Sequence, residues 1–224
     1  MTIINKELIN QEYNKILKDN INNILADLEI IISDESDFEG NCFYLNKTFI
    51  KKDELINKQK NLFWIGFKNP INICEIGFNA GHSSLLLLIK NNSKNINFTI
   101  FDISYHSYTK QCYEYICNKF PDVNFDFIEG DSVTSIPNWI NNTKKYEYFD
   151  VVHVDGGHAL EILTNDFANS LKILKKDGLI IVDDVQKEHI NNIVNVYLST
   201  GSLKEVTHMF ETSIYPHRIL QKII

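Results

Sequence analysis

Apolar side chains recur at helical spacing near the start of the chain, through Ile16, Leu17, Ile24, Leu28 and Ile31, with acids and asparagines between them. Over residues 3–32 this pattern predicts one or two amphipathic helices. Ser33 to Gly40 is polar and acidic and reads as a loop. Helical periodicity returns from Lys51 to Phe67 through Leu55, Ile56, Leu62, Phe63 and Ile65. From Pro70 the pattern changes to short apolar runs bounded by turn residues, each followed by a helical stretch, which is the alternation of a parallel sheet. Strands are predicted at Ile71 to Ile76, Asn97 to Ile103, Asn124 to Glu129, Phe149 to Asp155 and Gly178 to Asp183. Helices are predicted at Ser83 to Lys90, Tyr108 to Phe120, Val133 to Asn141, Ala159 to Leu174 and Lys187 to Ser199. Leu203 to Thr212 and Tyr215 to Ile223 read as two further strands joined by a tight connection.

Five β-α repeats closed by an antiparallel hairpin describe an α/β protein with a doubly wound, mostly parallel seven-stranded sheet. Ligands of such sheets bind beyond the carboxyl ends of the strands, near the point where the strand order reverses. The 224 residues, 44% hydrophobic and 23% charged, suffice for one domain with a sizeable core. Residues 51–224 hold the sheet. Residues 1–50 have no place in it, and are assigned within the same domain as a lid or as the contact of a homodimer.

Charge narrows the partners. The net charge is −7 and Arg218 is the only arginine, so the chain lacks the guanidinium forks and basic face that nucleic-acid binding requires. Cys42, Cys74, Cys112 and Cys117 show no Cys-x-x-Cys spacing, which suits a reducing compartment. No apolar run approaches the ~18 residues of a membrane span, and the N-terminus has no basic-then-apolar leader. The expectation is a soluble, cytoplasmic protein with neither nucleic-acid nor membrane partners.

Candidate chemistry begins where the first strand ends, in Glu75-Ile76-Gly77-Phe78-Asn79-Ala80-Gly81-His82-Ser83. Glycines at a strand-to-helix turn let backbone approach a nucleotide-like ligand. A dinucleotide fingerprint needs Gly-x-Gly-x-x-Gly, and here the positions are Gly77, Asn79 and His82, which argues against an NAD-dependent oxidoreductase. Asp102 closes the second strand and Asp131-Ser132 follows the third. Carboxylates there can accept from ribose hydroxyls and an adenine amino group, or Asp131 can simply cap the next helix.

The fourth and fifth strands end in Asp155-Gly156-Gly157-His158 and Asp183-Asp184. If these two strands are neighbours they lie about 4.8 Å apart, and Asp155 and at least one of Asp183 and Asp184 then share a small volume. Like charges that close favour a hard divalent cation such as Mg²⁺. Consecutive side chains on a regular strand point to opposite faces, so both aspartates ligate only if the strand has already turned; otherwise one caps the following helix. His158, near a helix start, is the candidate general base. His153, flanked by valines, reads as a core histidine.

Through Glu75-x-Gly77-x-x-x-Gly81, Asp102, Gly130-Asp131 and the terminal hairpin, residues 50–224 resemble the class I S-adenosylmethionine-dependent methyltransferases, whose fold is Rossmann-like. The resemblance implies a cofactor across the first strand ends, contacted by Glu75, Gly77, Asn79, Gly81, Ser83, Asp102, Asp131 and Ser132. Asp155-x-x-His158 followed by Asp183-Asp184 is similar to the metal-dependent O-methyltransferase branch that modifies sugars and sugar-bearing natural products. That likeness implies Mg²⁺ on Asp155, Asp183 and Asp184, catalysis by Asp155 and His158, and a small hydroxyl-bearing acceptor. Asn79 and His82 depart from the family pattern. A non-catalytic nucleotide-binding or interaction protein on the same fold is the remaining alternative, disfavoured because a dead scaffold has no physical need to crowd carboxylates.

Overall fold

The structure is a computed structural model, described for residues 4–33, 38, 42–44, 49 and 53–224. Most of the polar segment 33–40 and positions 51–52 of the next predicted helix lie outside the described residues.

Seven strands run β1 (Asn72–Ile76), β2 (Asn97–Asp102), β3 (Asn124–Glu129), β4 (Phe149–Val154), β5 (Leu174–Val182), β6 (Leu203–Glu205) and β7 (Arg218–Lys222). They form one sheet of order β3-β2-β1-β4-β5-β7-β6. The first five are parallel, and β7 pairs antiparallel with both β5 and β6. Each of the five predicted strands is present within a few residues. The terminal pair differs from expectation, because the strands are short and residues 206–217 between them make no tight turn. The carbonyl of Phe210 accepts from Asn61 Nδ2 at 2.8 Å, and its N–H donates to Asn61 Oδ1 at 3.1 Å, so this connection is folded back onto the body of the protein.

The parallel strands are buried on both faces, which explains their near-continuous apolar runs. Ile73, Phe98, Ile100, Val151 and Ile181 face one core; Cys74, Ile76, Val152, Val154, Ile180 and Val182 face the other. The second core is covered by α6 (Ser132–Thr143), α7 (Leu160–Ile173) and α8 (Glu188–Ser199). The first is covered by α1 (Lys6–Ile16), α2 (Asn22–Ile32), α3 (Ile56–Phe67), α4 (His82–Leu88) and α5 (Thr109–Lys119). A π-helical turn, Leu17–Ile21, joins α1 to α2.

The N-terminal helices thus belong to a helical layer, with Ile9, Tyr13, Ile21, Leu25, Leu28 and Ile32 fully buried. Close packing sets α3 in place: a Cβ on Gly66 would lie 2.4 Å from the Leu87 carbonyl oxygen, so only glycine lets α3 sit this near α4. Among the described residues no helix is long and apolar enough to cross a membrane.

Register aligns the strand ends. Ile76 pairs with Phe101 and with Val154, and Val154 pairs with Val182. The next residues, Gly77, Asp102, Asp155 and Asp183, therefore form one row along the carboxyl edge, with the order reversing between β1 and β4.

Candidate functional site

A cavity of about 420 Å³ opens at that reversal, lined among others by Gly77, Asn79, Asp102, Asp131, Asp155 and His158. Its size suits a nucleoside-sized ligand. Gly77 (φ 89°) forms the floor: a Cβ there would meet the Asp155 carbonyl oxygen at 2.1 Å, so no other residue fits. Asn79 also takes a left-handed conformation (φ 52°), which asparagine tolerates, and its Oδ1 accepts from the Tyr108 hydroxyl at 2.6 Å. Asparagine therefore substitutes for glycine here at modest cost.

Asp102 organises the loop. Oδ2 accepts the N–H groups of Phe78 at 2.7 Å and Asn79 at 3.0 Å, and Oδ1 accepts that of Ser104 at 2.6 Å. A carboxylate has about four acceptor positions, so Asp102 keeps room for one further donor from the cavity. Asp131 caps α6, with Oδ1 accepting Val133 N–H at 2.9 Å, and it lines the cavity beside Ser132. Capping and a place on the cavity wall coexist there.

Ser83 lines the cavity, whereas Glu75 does not. Glu75 is fully buried behind the loop, where its carboxylate accepts from Ser83 Oγ at 2.5 Å and from Ser84 Oγ, and bonds His153 Nδ1 at 2.9 Å. The structure thus places Glu75 behind the cavity wall, one layer back from where the sequence reading put it. Register puts Glu75 beside His153 on adjacent strands with their side chains on one face, and the glutamate braces helix α4 from below. His82, the other departure from the family pattern, is buried among the rings of Phe38, Phe43 and Tyr44. Burial pushes it down to about 4, so it is a neutral wall residue.

Asp155 and Asp183 converge as expected, joined by His153 in place of Asp184: ligand-type atoms of the three lie within 4.8 Å of one another. Asp155 borders the cavity, while Asp183 is almost fully buried behind it. The third charge is a lysine. Lys58 of α3, with 1% of its side chain exposed, places Nζ 2.6 Å from Asp183 Oδ2. Burial opposes charge on Asp183, but the Lys58 ammonium prevails and holds the carboxyl below its ordinary range. Burial and the negative Asp183 push Asp155 well up. The cluster is thus an Asp183–Lys58 ion pair beside Asp155, whose carboxyl its surroundings bias toward the protonated form.

Asp184 turns elsewhere. A left-handed backbone at this residue (φ 55°) ends the strand and swings the carboxylate to His158 Nε2 at 3.0 Å, Lys187 Nζ at 2.9 Å and Gln186 Nε2 at 3.2 Å. Burial would raise its pKa, yet these donors hold it well below the usual carboxylate range. The ligand-type cluster of Asp155, Asp183 and His153 forms without it. His158 itself is 43% exposed at the cavity wall, two residues before α7, and its carbonyl accepts from His189 Nε2 at 2.9 Å. With Nε2–H donating to a carboxylate, Nδ1 is the basic atom, the same orientation logic as an Asp-His pair in hydrolases.

The residues do not fit Mg²⁺. That ion prefers an all-oxygen octahedron, whereas this cluster contributes an imidazole, has lost Asp184, and already has an ammonium on Asp183.

A reversal-point cavity with a glycine-anchored loop and an acidic residue at each neighbouring strand end defines the class I methyltransferase type. The chain belongs to the methyltransferase domain family, whose model matches residues 74–185, half of its length. The fold is shared at low identity with solved structures. The Bacillus cereus O-methyltransferase in complex with SAH is 15% identical over 90% of this chain and 91% of that one, with a TM-score of 0.63. SAH-bound Podospora anserina methyltransferase PaMTH1 is 12% identical over 100% and 98%, with a TM-score of 0.65. CalS11, the TDP-rhamnose 3′-O-methyltransferase of calicheamicin biosynthesis, is 12% identical over 96% and 93%, with a TM-score of 0.60. No curated protein matches the chain.

Sequence reading passed over two members of the site. Lys58 falls three residues after Leu55 and four before Leu62, on the apolar stripe of its helix, and a lysine there was a visible signal of a buried ion pair. His153 is a core residue as expected, but it belongs to the acidic cluster as well.

Proposed function

We propose that this protein transfers a methyl group from S-adenosylmethionine to a hydroxyl of a small sugar-type or natural-product-type acceptor. The carrying observation is the His158–Asp184 pair, 3.0 Å apart, at the wall of the cavity that Gly77 and Asp102 shape. S-adenosylmethionine supplies an electrophilic methyl on a sulfonium, which a substrate oxygen displaces to leave S-adenosylhomocysteine (SAH).

The chain's own residues prepare that displacement. Gly77 and the loop held by Asp102 admit the cofactor's backbone-facing surface, and Asp102 and Asp131 receive its polar groups. The acidic lining favours a cationic donor over its neutral product. His158 Nδ1 takes the proton of the acceptor hydroxyl as its oxygen–methyl bond forms, and Asp184 stabilises the resulting imidazolium. Asp155 orients the acceptor from the cavity floor. Alignment of oxygen and methyl supplies most of the rate. Cys42 lines the cavity, and Phe43 and Tyr44 pack on His82, which supports a covering role for the segment before α3. The acceptor class rests on the Asp155-x-x-His158 pattern and on the likeness to CalS11.

The test is transfer of labelled methyl from S-adenosylmethionine to a panel of nucleotide sugars, glycosides and catechols, with the product checked by mass and by the linkage atom. Methylation on nitrogen or carbon alone, or no binding of SAH by calorimetry, refutes the reading.

A further inference from the structure

Lys58 is the one charged side chain of α3 that is buried at the carboxyl edge of the sheet among the described residues. An ammonium there is desolvated at large cost unless matched by an anion. Its match is Asp183 at 2.6 Å, the carboxylate that, with Asp155, resembles a cation site. His153 completes the cluster, with Nδ1 held by Glu75 and Nε2 lacking a hydrogen-bond partner among the described residues. Buried acids in that number call for a cation, and α3 carries one covalently.

We propose that Lys58 is the resident cation of this site, standing on Asp183 where a divalent ion would otherwise bind, so that the protein folds, binds SAH and methylates without a metal. The inference deepens the methyl-transfer reading and rests on it for the last of these. Two cations cannot share Asp183 at this depth without mutual repulsion in a water-poor environment. The fourth candidate ligand, Asp184, is taken by His158 and Lys187.

Calorimetric titration of the chelator-treated protein with MgCl₂ and with MnCl₂ tests this directly. We expect no saturable heat, and a Tm moved by less than about 1 °C by roughly 1 mM of either ion or by EDTA. One-to-one binding by the unaltered protein overturns the proposal. Lys58→Ala and Lys58→Gln leave Asp155, Asp183 and His153 without their cation. At least one is expected to gain Mn²⁺ affinity of about tenfold or more, visible as a Tm rise that a further Asp183→Asn change abolishes. Variants that fold and still take no Mn²⁺ show that Lys58 is not what excludes the ion. SAH binding by the unaltered protein is measured in the same series. Its absence sinks the methyl-transfer reading while the metal titrations still decide the role of Lys58.

Discussion

Replacing Asp102 by asparagine changes one atom of the side chain and should unsettle the whole cofactor loop. The carboxylate accepts three backbone N–H groups, two on Oδ2 and one on Oδ1. An asparagine has one acceptor oxygen. Oriented to keep Phe78 and Asn79, it turns its NH₂ toward the Ser104 N–H; reversed, it opposes two donors. In the better orientation one bond is lost, with an unsatisfied donor worth about 1–3 kcal/mol, and two bonds fall from charge-assisted to neutral at roughly 1 kcal/mol each. Asp102 is only half-buried, so water recovers part of this, and the net cost is about 2–4 kcal/mol. A domain of this size loses about 2–4 °C per kcal/mol, so Tm should fall by about 5–15 °C. The loop that Asp102 pre-organises also meets the cofactor, so the Kd for SAH should weaken about 100-fold. Differential scanning calorimetry and titration calorimetry with SAH read both without knowledge of the acceptor. A variant within about 2 °C and threefold in Kd of the parent would mean that Asp102 neither holds the loop nor serves the cofactor.

Other expectations follow from the same geometry. His158→Ala should lower kcat by about 10²–10⁴, and Asp184→Asn by up to about 10⁴, with SAH affinity retained in both; an Asp184→Asn enzyme of normal kcat would reduce that residue to a turn former bonded to Lys187. Because burial drives His82 down to about 4, its unfolded form binds the extra proton below about 6.5. Stability should therefore be full above that pH and fall on the order of 1 kcal/mol per unit as pH drops toward 4, a slope that His82→Leu should remove from urea-denaturation midpoints. Deleting residues 1–32 removes Ile9, Tyr13, Leu25 and Leu28 from the core, at about 1.5–3 kcal/mol each. The shortened chain should show no cooperative melting; a sharp transition near the parent Tm would instead make this segment a detachable lid.

The strands and most helices were legible in the amino-acid order because their signal is local: alternation and short apolar runs around Ile73, Phe98, Val152 and Ile180 repeat within a few residues. The row Gly77, Asp102, Asp155 and Asp183 was legible for the same reason, since each ends a strand and parallel neighbours end together. What each polar side chain does with its position was not. Glu75 belongs to the same motif as Gly77, yet register turns it inward onto His153. Asp183 and Asp184 are adjacent in the chain, and a single left-handed φ sends one to Lys58 and the other to His158. The connection after β6 reads as a turn until Asn61 is seen to hold Phe210. Local periodicity determined which elements form and where they stop. Partner choice among buried charges depended on which distant helix packs over the sheet edge, because a carboxylate's state is set by the cations within a few ångströms, however far along the chain they lie.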